Sequence, residues 1–263
     1  MKGYWMLVRS VLLSGVNHRV HFFLMSLGNI IYVILIYYLW KSIYANSSQL
    51  MGLSFQQTFA YLAMGSSLFW LLLTWVEYDM SQALTSGAIA NRLLKPLDLQ
   101  LFYFMNGVGY LINNFLFIMV PALFMMTLVF KVSVPLGWNL CWFVLSVVGS
   151  FVINFHIDYM VGLVSFYTES IWGISIIKEA VVTTFAGAVV PLQFFPGIIR
   201  QVLQCLPFQT IYHTPLMILI SPELSLGEVG AMLLTQLFWA LVCIGLARLI
   251  YLRAIRKITI QGG

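Results

Sequence analysis

Charge is what this sequence has least of. Only 8% of its 263 residues are Asp, Glu, Lys or Arg, and the mean hydropathy is +0.95. A soluble domain carries roughly 25% charged residues, so the polar surface that water demands is missing. An integral membrane protein is the class that remains. Cysteine is scarce too. Cys141, Cys205 and Cys243 stand far apart, without the spacing of a metal or redox motif, and are expected to act as small buried hydrophobes, with reactive thiols the alternative. There is no G-x-x-x-x-G-K-[ST], no G-x-G-x-x-G opening a helix, no H-E-x-x-H and no G-x-S-x-G. No catalytic residue, metal site or cofactor is therefore expected on this chain, and the chain is not read as an enzyme. If ATP drives it, the ATPase is a separate subunit.

What is present is apolar and aromatic: 61% and 16% of the residues, respectively. The expected fold is all-α and membrane-embedded, with a bilayer core crossed by about 20 apolar residues per helix and aromatic belts at both faces. Six spans are expected, at about 21–44, 55–75, 101–130, 137–167, 173–194 and 229–251. The fifth is interrupted early by Lys178 and Glu179. No internal repeat is visible, so the chain is one transmembrane domain. Residues 1–20 begin with a basic stretch and no cleavage pattern follows the first apolar run, which reads as a mature terminus. On a helix, Tyr4, Trp5, Val8, Val11, Leu12 and Val16 share one side, and Lys2, Arg9, Ser10 and Asn17 the other. That pattern suits an interfacial elbow helix; a frayed tail is the alternative.

The positive-inside rule orients the chain. With the N-terminus inside, the cytoplasmic segments hold Lys2, Arg9, Arg19, Arg92, Lys95, Arg248, Arg253, Arg256 and Lys257. The external segments hold Lys41, Lys131 and Arg200. Nine against three places both termini in the cytoplasm and accounts for the net positive charge without nucleic acid. After the fifth span, residues 195–224 are proline-rich yet apolar. Ile198, Ile199, Val202, Leu203 and Leu206 can line a short helix stopped by Pro207, with a second around 209–220. Both are expected as external re-entrant helices, which a membrane tolerates where the backbone is covered by protein.

Span four carries Asn154, His156 and Asp158 inside an apolar run. An intramembrane carboxylate implies a partner or a function. Counting back from Tyr167 at 1.5 Å per residue, Asp158 lies roughly 13 Å from the cytoplasmic end, a depth that matches Lys178. Three readings stand: a structural ion pair between Asp158 and Lys178, a proton relay, or the lining of a polar path with Asn154 and His156. His156 and Asp158 project to opposite sides of a helix and do not chelate together. Gln193, Phe194 and Phe195 sit where span five breaks, as an external gate or as interfacial anchors.

The segment between spans two and three, "EYDMSQALTSGAIANRLLKPLDLQ", is the polar exception. Asp79 and Gln82 look like a capping box, and a cytoplasmic helix over 80–95 is expected to end before Pro96. Leu84, Ala88 and Leu94 can face the membrane, with Ser81, Gln82, Asn91 and Arg92 facing the cytoplasm. Gly87 is expected to make room for a close neighbour. Such a helix is either an ordinary interfacial loop or a surface that takes a push from a soluble partner.

"SGAIANRLLKPLDLQLF" resembles the loop between the second and third spans of a bacterial type-2 ABC exporter permease family. "FYTESIWGISIIKE" (166–179), "VPLQFFPGIIRQVLQCLPFQTIYHTP" (190–215) and "RLIYLRAIRKITIQGG" (248–263) match in order, so the resemblance covers nearly the whole chain. Ala88 departs from it where an acidic residue is expected. The resemblance implies a half-transporter in the bacterial inner membrane. Two permease copies, identical or paralogous, would pair with two ABC ATPase subunits that carry the ATP and Mg. Ser81, Leu84, Gly87, Ile89, Arg92, Leu93, Lys95 and Glu169 would dock the ATPase. Substrates of the family are drug-like, cationic such as viologens, or otherwise amphiphilic. The competing classes are an ion-coupled secondary transporter or channel using Asp158 and His156, and a membrane-embedded enzyme.

Overall fold

A computed structural model describes residues 2–50, 52–131, 137–221 and 223–257. Five helical stretches in it are long and apolar enough to cross a membrane. The first is α2 (Arg19–Ile43), preceded by α1 (Lys2–Asn17). The second combines α3 (Phe55–Leu72) with α4 (Val76–Thr85), and α5 (Ala88–Leu93) follows. The third joins α6 (Leu99–Asn114) to α7 (Val120–Leu128) through a π-helical turn, Phe115–Met119. The fourth is α8 (Trp138–Val164), and the fifth is α12 (Leu226–Ala254). Between the last two lie α9 (Trp172–Phe185), α10 (Gly197–Gln204) and α11 (His213–Ile220). A two-stranded hairpin, β1 (Gln49–Leu50) and β2 (Leu53–Ser54), links α2 to α3.

Helix starts follow local chemistry. Ser54 with Gln57 and Ser225 with Glu228 form capping boxes at α3 and α12, each an S-x-x-[QE] pattern readable in the sequence. The π turn has a cause in Pro121, which lacks the N–H that would bond the Phe117 carbonyl; the ladder shifts, and Val120 N–H reaches Phe115 O instead.

Contacts along the helices fix their directions. Asn29 donates to Ser67 at 3.2 Å and Tyr37 meets Phe59, so α2 and α3 are antiparallel. Asn154 donates to Leu72 O and Thr74 to Asp158, so α8 runs the same way as α3–α4. Gln236 bonds Ser146, Ser150 and Thr210, tying α12 to α8 and to the turn before α11.

Three expectations change here. α1 lies lengthwise on α6: Tyr4 OH accepts the Asp98 N–H, Asn113 donates to Val11 O, and a Cβ on Gly109 would come within 2.7 Å of Val11. Its buried stripe is Val8 and Gly15 with part of Tyr4 and Val11, while Trp5 and Val16 are exposed. Small residues on α6 admit α1, which hydropathy alone does not show. The expected span at 173–194 is replaced by the 14-residue α9, only ~21 Å long. Its end is set by Gly187 in the left-handed region, φ +80°. Cys141 and Cys205 are exposed and only Cys243 is buried, because the first two face away from the bundle. The closing Gly262 and Gly263 lie outside the described residues.

Candidate functional site

The polar segment after α3 folds as a bent arm. The expected single helix over 80–95 is two, parted at Gly87, whose φ of +72° requires a residue free of a Cβ penalty. Nothing lies within 4 Å of a Cβ there, so the glycine serves the turn and not a close neighbour. Asp79 does not cap. It lies inside α4, whose N-cap is Trp75, and it accepts both Arg92 amines at 3.0 and 3.1 Å. Arg92 also donates to Tyr103 OH at 2.6 Å, which ties α5 to α6. Burial works against the guanidinium charge, but the Asp79 and Tyr103 partners outweigh it and raise the Arg92 pKa. Arg92 therefore faces inward, in contrast to the expected cytoplasmic side.

Of the other arm residues, Ile89 is buried, and Ser81, Leu84 and Leu93 are half-buried. The surface that stays open consists of Gln82, Thr85 to Gly87, Asn91 and Leu94 to Pro96, with Leu94 83% exposed. Glu169 is exposed in the turn between α8 and α9.

Above the arm sits a buried polar cluster. Lys178 on α9 donates to Asp158 Oδ1 at 2.7 Å, Glu77 Oε1 at 3.0 Å and Glu179 Oε2 at 3.1 Å. Asp158 Oδ2 accepts from Thr74 at 2.9 Å and Asn154 at 3.1 Å. One ammonium thus joins α4, α8 and α9. The cluster stands where α3 gives way to α4: Leu73 is extended and Trp75 is left-handed, with φ +54°. The carbonyls freed by that break are taken by side-chain amides. Asn114 donates to Leu71 O and Leu73 O, and Asn154 to Leu72 O. Polar groups buried away from water need such partners. Close packing at this level needs Gly162, where a Cβ would lie 3.1 Å from Glu77 Cα.

The structure thus brings Asp158, Asn154 and Lys178 together, and leaves His156 apart. Its Nδ1 lies 2.6 Å from Val152 O and its ring rests against Phe104 and Phe155. Gln193, Phe194 and Phe195 are elsewhere again: Gln193 contacts Met217 Sδ, and Phe194 packs edge-on against Trp40. Glu77 and Tyr103 were missed by sequence reasoning. Glu77 directly follows an apolar run and reads as the start of a loop; the signal available was its helical spacing from Met80, buried on the same side of α4. Among the described residues, no three His, Cys, Asp or Glu side chains are grouped so as to hold a metal ion.

Two open hollows adjoin these groups. One of about 670 Å³ lies between α2, α3 and α9, with Tyr32, Phe69, Trp70 and Glu179 in its wall. The other, about 610 Å³, lies between α1, α2, the α3–α4 break and α6. Compared with known families, the chain matches the one described as ABC-2 family transporter protein over residues 30–262. No curated protein matches it.

Proposed function

The chain belongs to the ABC-2 transporter family, and from that premise we propose that it is the permease subunit of an ATP-driven exporter. Family membership makes it a membrane transport subunit and not an enzyme. The reading goes further: two copies or paralogues pair with two ATPase subunits in a bacterial inner membrane, with both termini cytoplasmic.

The observation that carries this reading is the arm of α4 and α5. It is a segment between long apolar helices whose exposed edge is mainly polar and whose inner side is locked. The Asp79–Arg92–Tyr103 bonds hold the two short helices as a unit, so force applied at Asn91, Leu94 or Lys95 reaches α4 and the helix break above it. A soluble partner needs such a surface; lipid does not. Glu169 supplies a second contact in this reading.

A sixth crossing is supported by the way the chain resumes after its excursion. His213 N–H donates to Ala186 O at 3.0 Å, so α11 starts where α9 ends, and the two short helices together have the length of one span. In this reading, α10 and the adjoining turns cover the external end.

The hollow between α2, α3 and α9 supports a drug-like cationic amphiphile as cargo. Its aromatic wall offers ring faces to a cation, its volume suits a drug-sized ligand, and among the described residues Glu179 is the only charged side chain lining it.

Co-purification tests the reading. The native complex should contain a nucleotide-binding subunit, and Leu94→Asp or Lys95→Glu should release it while the permease still inserts. Recovery of the native protein without such a subunit, with transport continuing in the absence of ATP, would show the reading to be wrong.

A further inference from the structure

Two of the long helical runs are interrupted, and the junction of α1 with α2 meets both interruptions. α1 passes into α2 at His18, α3 into α4 over 73–75, and α6 into α7 through the turn that follows Asn114. The hollow of about 610 Å³ is walled by just these places: Ser14 and His18, Leu73 and Trp75, Asn113 and Asn114. α8 and α12 run past without a break.

The chemistry of the walls narrows the occupant. Among the described residues they present hydroxyl, amide and imidazole groups, but no carboxylate, ammonium or guanidinium. An ion entering would lose hydration without meeting a fixed counter-charge. Trp70, Trp75 and Tyr110 offer ring faces, and Ser10 and Ser14 hydroxyls. The size is that of small-molecule sites, roughly 300–1,000 Å³.

We propose that this hollow is a binding site for a planar, uncharged aromatic compound bearing a hydrogen-bonding group, and that its occupancy stabilises the helix breaks around it. Trp75 supplies the link. Its left-handed backbone, φ +54°, is uncommon for a bulky residue and aims the indole into the hollow's wall. Were the break to straighten, the indole would swing away. A ring stacked on Trp75 therefore binds the broken form better than a straightened one, and a ligand shifts an equilibrium only through such a difference. The site shares Trp70 with the hollow beside Glu179 but is otherwise walled by different residues, and it does not depend on an ATPase partner.

The test uses the purified full chain in lipid nanodiscs at about pH 8, above the ordinary histidine range. The probe is naphthalene carboxamide, with naphthoate and naphthylmethylammonium as charged counterparts of the same ring. Saturable carboxamide binding is expected, with both ions weaker by on the order of tenfold. Ser14→Phe fills the hollow and should abolish binding. Trp75→Gly keeps a backbone at ease with positive φ but removes the ring, and should weaken binding on the order of tenfold. With the probe bound, amide hydrogen exchange should slow around 74–79 and 115–120. The proposal is overturned if uptake only matches partition into protein-free nanodiscs, or if either ion binds as tightly. Unchanged affinity in the two variants, or unaltered exchange at the breaks on binding, would overturn it equally.

Discussion

Lys178 holds three carboxylates, and two of them, on Glu77 and Asp158, are buried. Removing a partner from a buried charge cluster leaves the rest uncompensated, at a cost of about 3–5 kcal/mol. Lys178→Met should therefore lower the melting temperature of the purified chain sharply. Glu179→Gln, at a part-exposed position, should cost under about 1 kcal/mol. Thermal unfolding in one detergent compares the two. An exchange of charges sharpens the point: Asp158→Lys with Lys178→Asp should not rescue stability, because the second change sets a carboxylate beside Glu77 and Glu179. A double variant as stable as the parent would contradict the three-way arrangement. The nearness of Asp158 and Lys178 was legible from helical rise alone. The contribution of Glu77 was not, because it depends on α4 packing against α8 through Gly162.

At the scale of elements, the arm is where expectation and structure part most. A polar segment ending at Pro96 was visible as a pattern, and its location between the second and third spans was correct. Its bend was not, since a glycine in a helical pattern reads equally as a weak spot or a neighbour's seat. Gly87→Ala should destabilise the arm by about 1–2 kcal/mol through its left-handed backbone, although the space is open. Equilibrium unfolding checks this, and hydrogen exchange should report the loosening in α5. Gly162→Val acts for the opposite reason, by overpacking against Glu77 and Met80, and should cost about 1–3 kcal/mol in the same assay. Arg92 illustrates why sides of a short helix are hard to assign. It was placed outward by composition, but Asp79 and Tyr103 together compensate its charge inside the fold.

For the whole molecule, orientation is the open quantity that a simple measurement decides. With both termini inside, Cys205, just past α10, should react with a membrane-impermeant maleimide added outside intact cells. Cys243, buried within α12, should react only after denaturation. Labelling of Cys205 solely in inverted vesicles would reverse the topology and remove the external assignment of α10. Among the described residues five helical stretches are long and apolar enough to cross; the proposed sixth crossing joins two short pieces at Ala186 and His213.

The sequence by itself determined the class of protein, the location of five of the six long apolar helices it predicted and the position of the polar arm. Hydropathy and helix-stop residues act locally, within one turn or one span, so they survive being read one residue after another. The resemblance in four ordered stretches reached the family for the same reason, since each is a contiguous run. Tertiary structure decided which side chains work together. The break over 73–75 exists because Asn114 and Asn154 arrive from α6 and α8 to satisfy the freed carbonyls. His156 and Asp158, two residues apart in sequence, belong to different environments because opposite faces of α8 meet different neighbours. Backbone groups in an apolar interior must be satisfied by whatever element lies beside them, and the identity of that neighbour is a property of the folded chain.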